Sequence, residues 1–183
     1  MLHELGAEII DADELAREIV RPGREAWREI VDAFGVEILR DDRSIDRDKL
    51  RKIIFSDEKA RKRLESITHP RIRALAQQKI KKLAAAGAAI IVYDAPLLFE
   101  NQLHLWLRPV ILVICSAAAQ RQRLRERDRL SEEEIEQHLK AQMPLEEKRR
   151  LADLVIENDG SLEELRSQVQ EVWEKITRME DRR

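Results

Sequence analysis

Three short apolar runs constrain this chain more than any other feature: residues 88–93 (AAIIVY), 109–115 (PVILVIC) and 153–156 (DLVI). Each has strand length, is rich in β-branched residues, and lacks the polar–apolar alternation of a half-exposed strand. A fourth, shorter candidate runs from Glu8 to Ile10. The stretches between these runs have helical spacing. Continuous apolar strands separated by helices predict an α/β fold, a parallel sheet with helices covering both faces.

Helix boundaries are marked locally. Ser131-x-x-Glu134 and Ser161-x-x-Glu164 both match the capping box, in which hydroxyl and carboxylate satisfy helix-start amides reciprocally. Gly87 is expected to close the helix that ends at Ala86, and Asn158-Asp159-Gly160 to turn the chain after the last strand. Residues 24–86 interrupt the alternation, because they read as helices over 24–34, 47–55, 58–68 and 70–86. Gly35, the Asp41-Asp42-Arg43-Ser44 turn and the Ser56-Asp57 cap separate them, and His69-Pro70 reads as a helix start with proline in the first turn. So much helix exceeds what a simple crossover between parallel strands needs. The expected division is therefore a core of residues 1–23 and 87–183 and an inserted helical lobe of residues 24–86, facing the strand ends where such sheets bind ligands. The tail 179–183 is expected to fray.

Composition narrows the function classes. With 183 residues the chain can bury one substantial core and a subordinate lobe. Charged residues reach 38%, but Lys+Arg 34 and Asp+Glu 36 leave a net charge of −2, which argues against a broadly basic nucleic-acid surface. Cys115 is the only cysteine, so no internal disulfide can form, and four scattered histidines suggest no zinc cluster. No apolar run has the length of a membrane span and no signal-peptide pattern opens the chain, so a soluble, cytoplasmic protein is expected. Trp27, Trp106 and Trp173 are expected to pack into cores rather than meet partners.

Three constellations could carry chemistry. Asp11-Ala12-Asp13 follows Ile9-Ile10 and precedes a helix. A carboxylate at the C-terminal end of a parallel strand points into the ligand crevice and can accept a hydroxyl proton, although aspartate is equally a favoured helix cap. Ile90 to Tyr93 ends in Asp94, the arrangement by which a buried strand delivers a carboxylate to a magnesium-bound nucleotide. The following Pro96-Leu-Leu-Phe-Glu100 is more distinctive, with a turn and hydrophobic plug as its plainest meaning. Third, Arg123 and Arg127 lie one helical turn apart in a basic segment, where they could clamp a polyphosphate or merely form a solvated face.

Together these stretches resemble the dephospho-coenzyme A kinases of the P-loop kinase superfamily. The segments LGAEIIDADELAREIVRPG (5–23), AFGVEIL (33–39), SIDRDKLRKIIFSD (44–57), LESITHPRIR (64–73), DAPLLFE (94–100), QRLRERDRLSEEE (122–134) and ADLVIENDGSLEEL (152–165) follow one another in family order. The resemblance implies transfer of the γ-phosphoryl group of ATP to the ribose 3′-hydroxyl of dephospho-CoA, the last step of coenzyme A biosynthesis. It implies Asp13 as the base, Arg17 as an acceptor contact, and His69 in the lobe that holds the acceptor. It also implies Arg123 and Arg127 on a helical lid of about residues 117–150, meeting the transferring phosphoryl group, and Asp94 as the Mg2+ ligand. The partners implied are small molecules, dephospho-CoA and ATP, without nucleic acid or membrane. His138 stands where many relatives carry arginine, and no role is assigned to it.

The resemblance also implies a strand and a glycine-rich loop ending Gly-Lys-Ser/Thr about twenty residues before Asp13. No G-x-x-x-x-G-K-S/T occurs in the chain. The expectation is a P-loop kinase-like sheet lacking its first, central strand, with Met1 an internal methionine of a longer protein and ATP turnover impaired. The alternative is a non-catalytic module that binds dephospho-CoA or CoA.

Overall fold

Asp11 ends a strand and starts a helix in one residue. Its extended backbone completes β1 (Glu8–Asp11), while its carboxylate accepts the N–H groups of Asp13 and Glu14 at 2.7 and 3.2 Å and so caps α1 (Ala12–Ile19). The same device recurs at Asp46, which caps α3 (Arg47–Ser56), and at Asp57, which caps α4 (Glu58–Ala85). The computed structural model describes residues 1–129 and 131–180. Within these the remaining elements are α2 (Glu25–Phe34), β2 (Ile91–Asp94), β3 (Ile111–Ile114), α5 (Ala117–Asp128), α6 (Glu132–Lys140), α7 (Leu145–Leu151), β4 (Leu154–Glu157) and α8 (Leu162–Glu180).

The chain divides into two compact units, one of Ala7–Ala95 and one of Met1–Gly6 with the residues from Pro96 onward. In the first, β1 and β2 pair in parallel with Asp11 opposite Asp94, and α1 to α4 form the connection between them. Its main core joins Ile19, Ala26, Trp27, Ile30, Ile38, Ile45, Leu50 and Ile67, contributed mostly by the helices of the insertion. A smaller cluster of Ile10, Leu15 and Ala76 seats β1 and α1 against α4. The inserted helices therefore fold in one unit with β1 and β2. In the second unit β3 and β4 pair in parallel, and α8 covers β4 through Ile156, Val169 and Val172. The four expected strands are all present and parallel, as two two-stranded sheets.

Both capping boxes form as expected, as does the Gly87 helix stop, where φ is +88°. One boundary does not. Pro70 does not start a helix; it lies inside α4, which runs unbroken for 28 residues. A proline there removes one backbone bond and crowds the preceding turn. The turn is nevertheless held: the Arg71 guanidinium donates to the Ile67 carbonyl at 2.8 Å, Thr68 Oγ1 donates to the Leu64 carbonyl at 2.9 Å, and the Ile67 side chain is buried in the core. Packing and side-chain bonds override the local preference. Of the tryptophans, Trp27 is buried and Trp173 half-buried as expected, but Trp106 is 49% exposed and is not a core residue. In the tail, Met179 and Glu180 complete α8, and the expectation for residues 181–183 lies outside the described residues. Among the described residues no helix is long and apolar enough to cross a membrane.

Candidate active site

The strand ends of the first unit gather three carboxylates whose duties differ. Asp11 is committed to capping α1. Asp13 sits in the first turn of that helix, exposed, with its side chain in no hydrogen bond or ion pair among the described residues. Anionic charge is favoured at that position by the helix dipole. Asp94 stands opposite Asp11 in the ladder. Asp94 is exposed, but desolvation by the surrounding chain, followed by the charges of Asp11 and Asp13, pushes its carboxyl above the usual value of 3.8, and the same three causes raise the neighbouring Tyr93 hydroxyl. This is a locus of negative potential that a cation would relieve. No group of three or more His, Cys, Asp or Glu that could hold a metal by itself occurs among the described residues. The donor set still fits magnesium, which takes hard oxygen ligands and is commonly held by one or two carboxylates together with substrate phosphates.

One helical turn beyond Asp13, Arg17 reaches the wall of a cleft of about 250 Å³ enclosed by the first unit. Arg21 and Arg47 line it too, over a floor that includes Ile30, Ile45 and Leu50. Arg17 and Arg47 make no side-chain hydrogen bond or ion pair among the described residues. An apolar floor with uncommitted guanidinium groups at its edge suits a ligand with an organic body and anionic groups. Ser44 and Thr68 add hydroxyls. The loop bearing Ser44 and Ile45 is fixed by the Leu39–Ile45 bridge and by Trp27, whose indole N–H donates to the Arg43 carbonyl at 2.9 Å. His69 is exposed on α4 and is not among the cleft-lining residues; its neighbour Thr68 is.

Arg123 and Arg127 belong to the second unit and lie exposed on α5, one turn apart. Arg123 Nη2 donates to the Asn158 carbonyl at 2.8 Å, in the turn after β4. Next to it the Asp159 carboxylate receives the Ser116 N–H at the start of α5, which, with the Arg123 charge, holds its carboxyl below the usual range. Ion pairs tie α5 to α6, including Arg121 with Glu136 at 2.6 Å and Arg125 with Glu132. His138, on α6, lies 3.2 Å from the Gln142 amide nitrogen. The structure thus groups Asp13, Arg17 and Asp94 in one unit and Arg123 with Arg127 in the other.

Sequence reasoning did not single out Arg21, Arg47 or the buried Lys148, whose ammonium lies 2.8 Å from the Glu100 carboxylate. Arg21 carried a usable signal, being one turn from Arg17. Arg47 and Lys148 did not, because each reads as an ordinary charge in a helix.

The family model described as dephospho-CoA kinase matches residues 1–164. The dephospho-CoA kinase of Geobacter sulfurreducens is 48% identical over 175 residues, covering 96% of this chain and 89% of the relative. That of Arabidopsis thaliana is 42% identical over 173 residues, covering 94% and 75%. Among solved structures, a crystal structure from Thermus thermophilus superposes with a TM-score of 0.81 at 32% identity, covering 95% of this chain and 87% of the other. The dephospho-CoA kinase from Campylobacter jejuni gives a TM-score of 0.69 at 30% identity, covering 96% and 88%. The fold, the carboxylate-bearing strand ends and these matches have one reading: the chain belongs to the dephospho-CoA kinase family, a family of transferases.

Proposed function

We propose that this chain carries the acceptor half of dephospho-CoA phosphorylation, with Asp13 as the base for the ribose 3′-hydroxyl. The observation that carries the reading is the division of labour at the end of β1. Asp11 is spent on the helix cap, which leaves Asp13 exposed one turn from Arg17 at the cleft wall. In the reaction the 3′-oxygen attacks the γ-phosphorus of ATP and its proton passes to the Asp13 carboxylate. The bond from the γ-phosphorus to the β–γ bridging oxygen breaks, and ADP departs. Arg17, Arg21 and Arg47 engage anionic groups of the acceptor while the apolar floor takes its organic body. His69 extends the acceptor surface along α4, within the lobe of residues 24–86. Arg123 and Arg127, on a lid made of α5 and α6, neutralise charge that builds on the transferring group. A magnesium ion bound with the nucleotide would supply charge neutralisation on the phosphates, and Asp94 would hold it directly or through water.

Phosphoryl transfer depends on positioning, and the backbone amides, lysine and hydroxyl of a G-x-x-x-x-G-K-S/T loop normally supply most of it. The 183 residues hold no such loop. We therefore propose that residues 1–183 bind the acceptor but turn over negligibly, and that the sheet lacks the family's first strand. Among the described residues the strands pair as β1 with β2 and as β3 with β4. The missing loop equally favours a second reading, a non-catalytic module that binds dephospho-CoA or CoA. Assaying ATP-dependent 3′-phosphorylation, together with dephospho-CoA binding by the parent and by Arg17→Ala, tests both. Weakened binding in the variant supports the acceptor site. Turnover typical of kinases would overturn the impairment, and binding indifferent to Arg17 would overturn the acceptor site.

A further inference from the structure

The distinctive Pro96-Leu-Leu-Phe-Glu100 stretch takes no part in the chemistry above, and its last residue enters a buried charged contact. The Lys148 side chain is only 8% exposed and that of Glu100 19%. Glu100 Oε1 accepts both the Lys148 ammonium and the Met143 backbone N–H, each at 2.8 Å. Lys148 also donates to Gln142 Oε1 at 3.4 Å. Burial alone would push the Glu100 carboxyl up, but these two donors outweigh it and hold the group below its usual range.

The contacts converge on one place, the connection of residues 141–144 between α6 and α7. On the near side of that connection α6 is bound to α5 through the Arg121 and Arg125 ion pairs, and Leu124 and Ile135 are buried. α5 and α6 are thus tied to each other as one arm, and the arm's exit is gripped by a pair outside it. A buried ion pair is not the most stabilising way to fill such a site, since apolar side chains of similar volume often do as well or better. Glu100 Oε2 is in addition buried without a hydrogen-bond partner among the described residues, a cost that stability alone does not explain. What the pair supplies that apolar packing cannot is direction, because one oxygen fixes both a backbone amide and an ammonium.

We propose that Glu100 and Lys148 are positioning residues that form the fixed pivot of the α5–α6 arm and thereby orient Arg123 and Arg127. This rests on the reading of that arm as the element that meets the phosphoryl donor. The pivot itself is testable without nucleotide. Amide hydrogen exchange is measured on the parent, on Glu100→Gln, Lys148→Met and Lys148→Arg. Glu100→Gln keeps an acceptor for Met143 and carries the test should Lys148→Met fail to fold. The pivot predicts that Glu100→Gln and Lys148→Met speed exchange roughly tenfold or more at Met143 and throughout α5 and α6 as a block. β4 and α8 should keep parent rates, and Lys148→Arg should restore the arm. Uniform acceleration across the second unit would reduce the pair to a general structural contact and overturn the proposal. Acceleration confined to residues 141–148, with α5 and α6 at parent rates, would overturn it as well. The exchange pattern needs neither ATP nor dephospho-CoA, so the pivot can fail while the acceptor site stands, and stand while dephospho-CoA titration removes the acceptor site.

Discussion

Asp11→Ala and Asp13→Ala should have opposite consequences although the two residues are two positions apart. Asp11 satisfies two amides at the start of α1, at 2.7 and 3.2 Å, and α1 carries the buried Leu15 and Ile19. Losing an aspartate cap costs about 0.5–2 kcal/mol. Part of this is returned, because Asp11 also repels Asp94 and its removal relieves that repulsion. A net loss near 1 kcal/mol follows, which for a urea m-value of about 2 kcal/mol/M lowers the midpoint by about 0.5 M. Asp11→Asn, which keeps the acceptor oxygen, should stay close to the parent. Asp13 makes no side-chain bond among the described residues, so Asp13→Ala should change stability by no more than about 0.5 kcal/mol. It should instead weaken dephospho-CoA binding about tenfold, the effect of losing one hydrogen bond to a charged acceptor. Urea unfolding followed by circular dichroism and calorimetric titration measure the two effects. If Asp13→Ala unfolds early while Asp11→Ala is neutral, the assignment of cap and base is wrong.

Asp94→Asn should be more stable than the parent at neutral pH. Desolvation by the surrounding chain and the charges of Asp11 and Asp13 raise the Asp94 carboxyl above 3.8 in the fold, so the folded state holds its proton more tightly than the unfolded chain. That stabilisation is complete below 3.8 and is lost as pH rises through the raised value, so urea midpoints of variant and parent should converge in acid. A gap that widens in acid would refute the argument. Pro70→Ala should stabilise the protein by about 1–2 kcal/mol. Proline costs roughly 3 kcal/mol in a helix interior and returns about 0.4–1 kcal/mol by restricting the unfolded chain; packing around Ile67 reduces the remainder. A less stable Pro70→Ala protein would show that α4 requires its proline.

What was legible in the sequence was local. Ser131 with Glu134 and Ser161 with Glu164 act within one turn of chain, so their spacing alone specifies the capping boxes. Asp13 and Arg17 were likewise legible, because strand end and helix period set their relation. Between Asp11 and Asp13 the pattern left the cap undecided, and only backbone geometry separates them. Pro70 misleads for the opposite reason: its cost is local, while what offsets it, the buried Ile67 and the Arg71 guanidinium with its Glu29 partner at 2.6 Å, comes from packing against α2. Arg47 joins the cleft because the turn before it folds back on Trp27, and Lys148 meets Glu100 across 48 intervening sequence steps. Neither relation has a period to read.

We propose that these 183 residues hold an acceptor site without a donor-phosphate loop. Parallel calorimetric titrations of one protein sample with dephospho-CoA and with ATP plus magnesium test it most directly. Saturable dephospho-CoA binding that weakens in Arg17→Ala, with no measurable ATP binding, is the predicted result. Tight ATP binding, or no binding of dephospho-CoA, would contradict it.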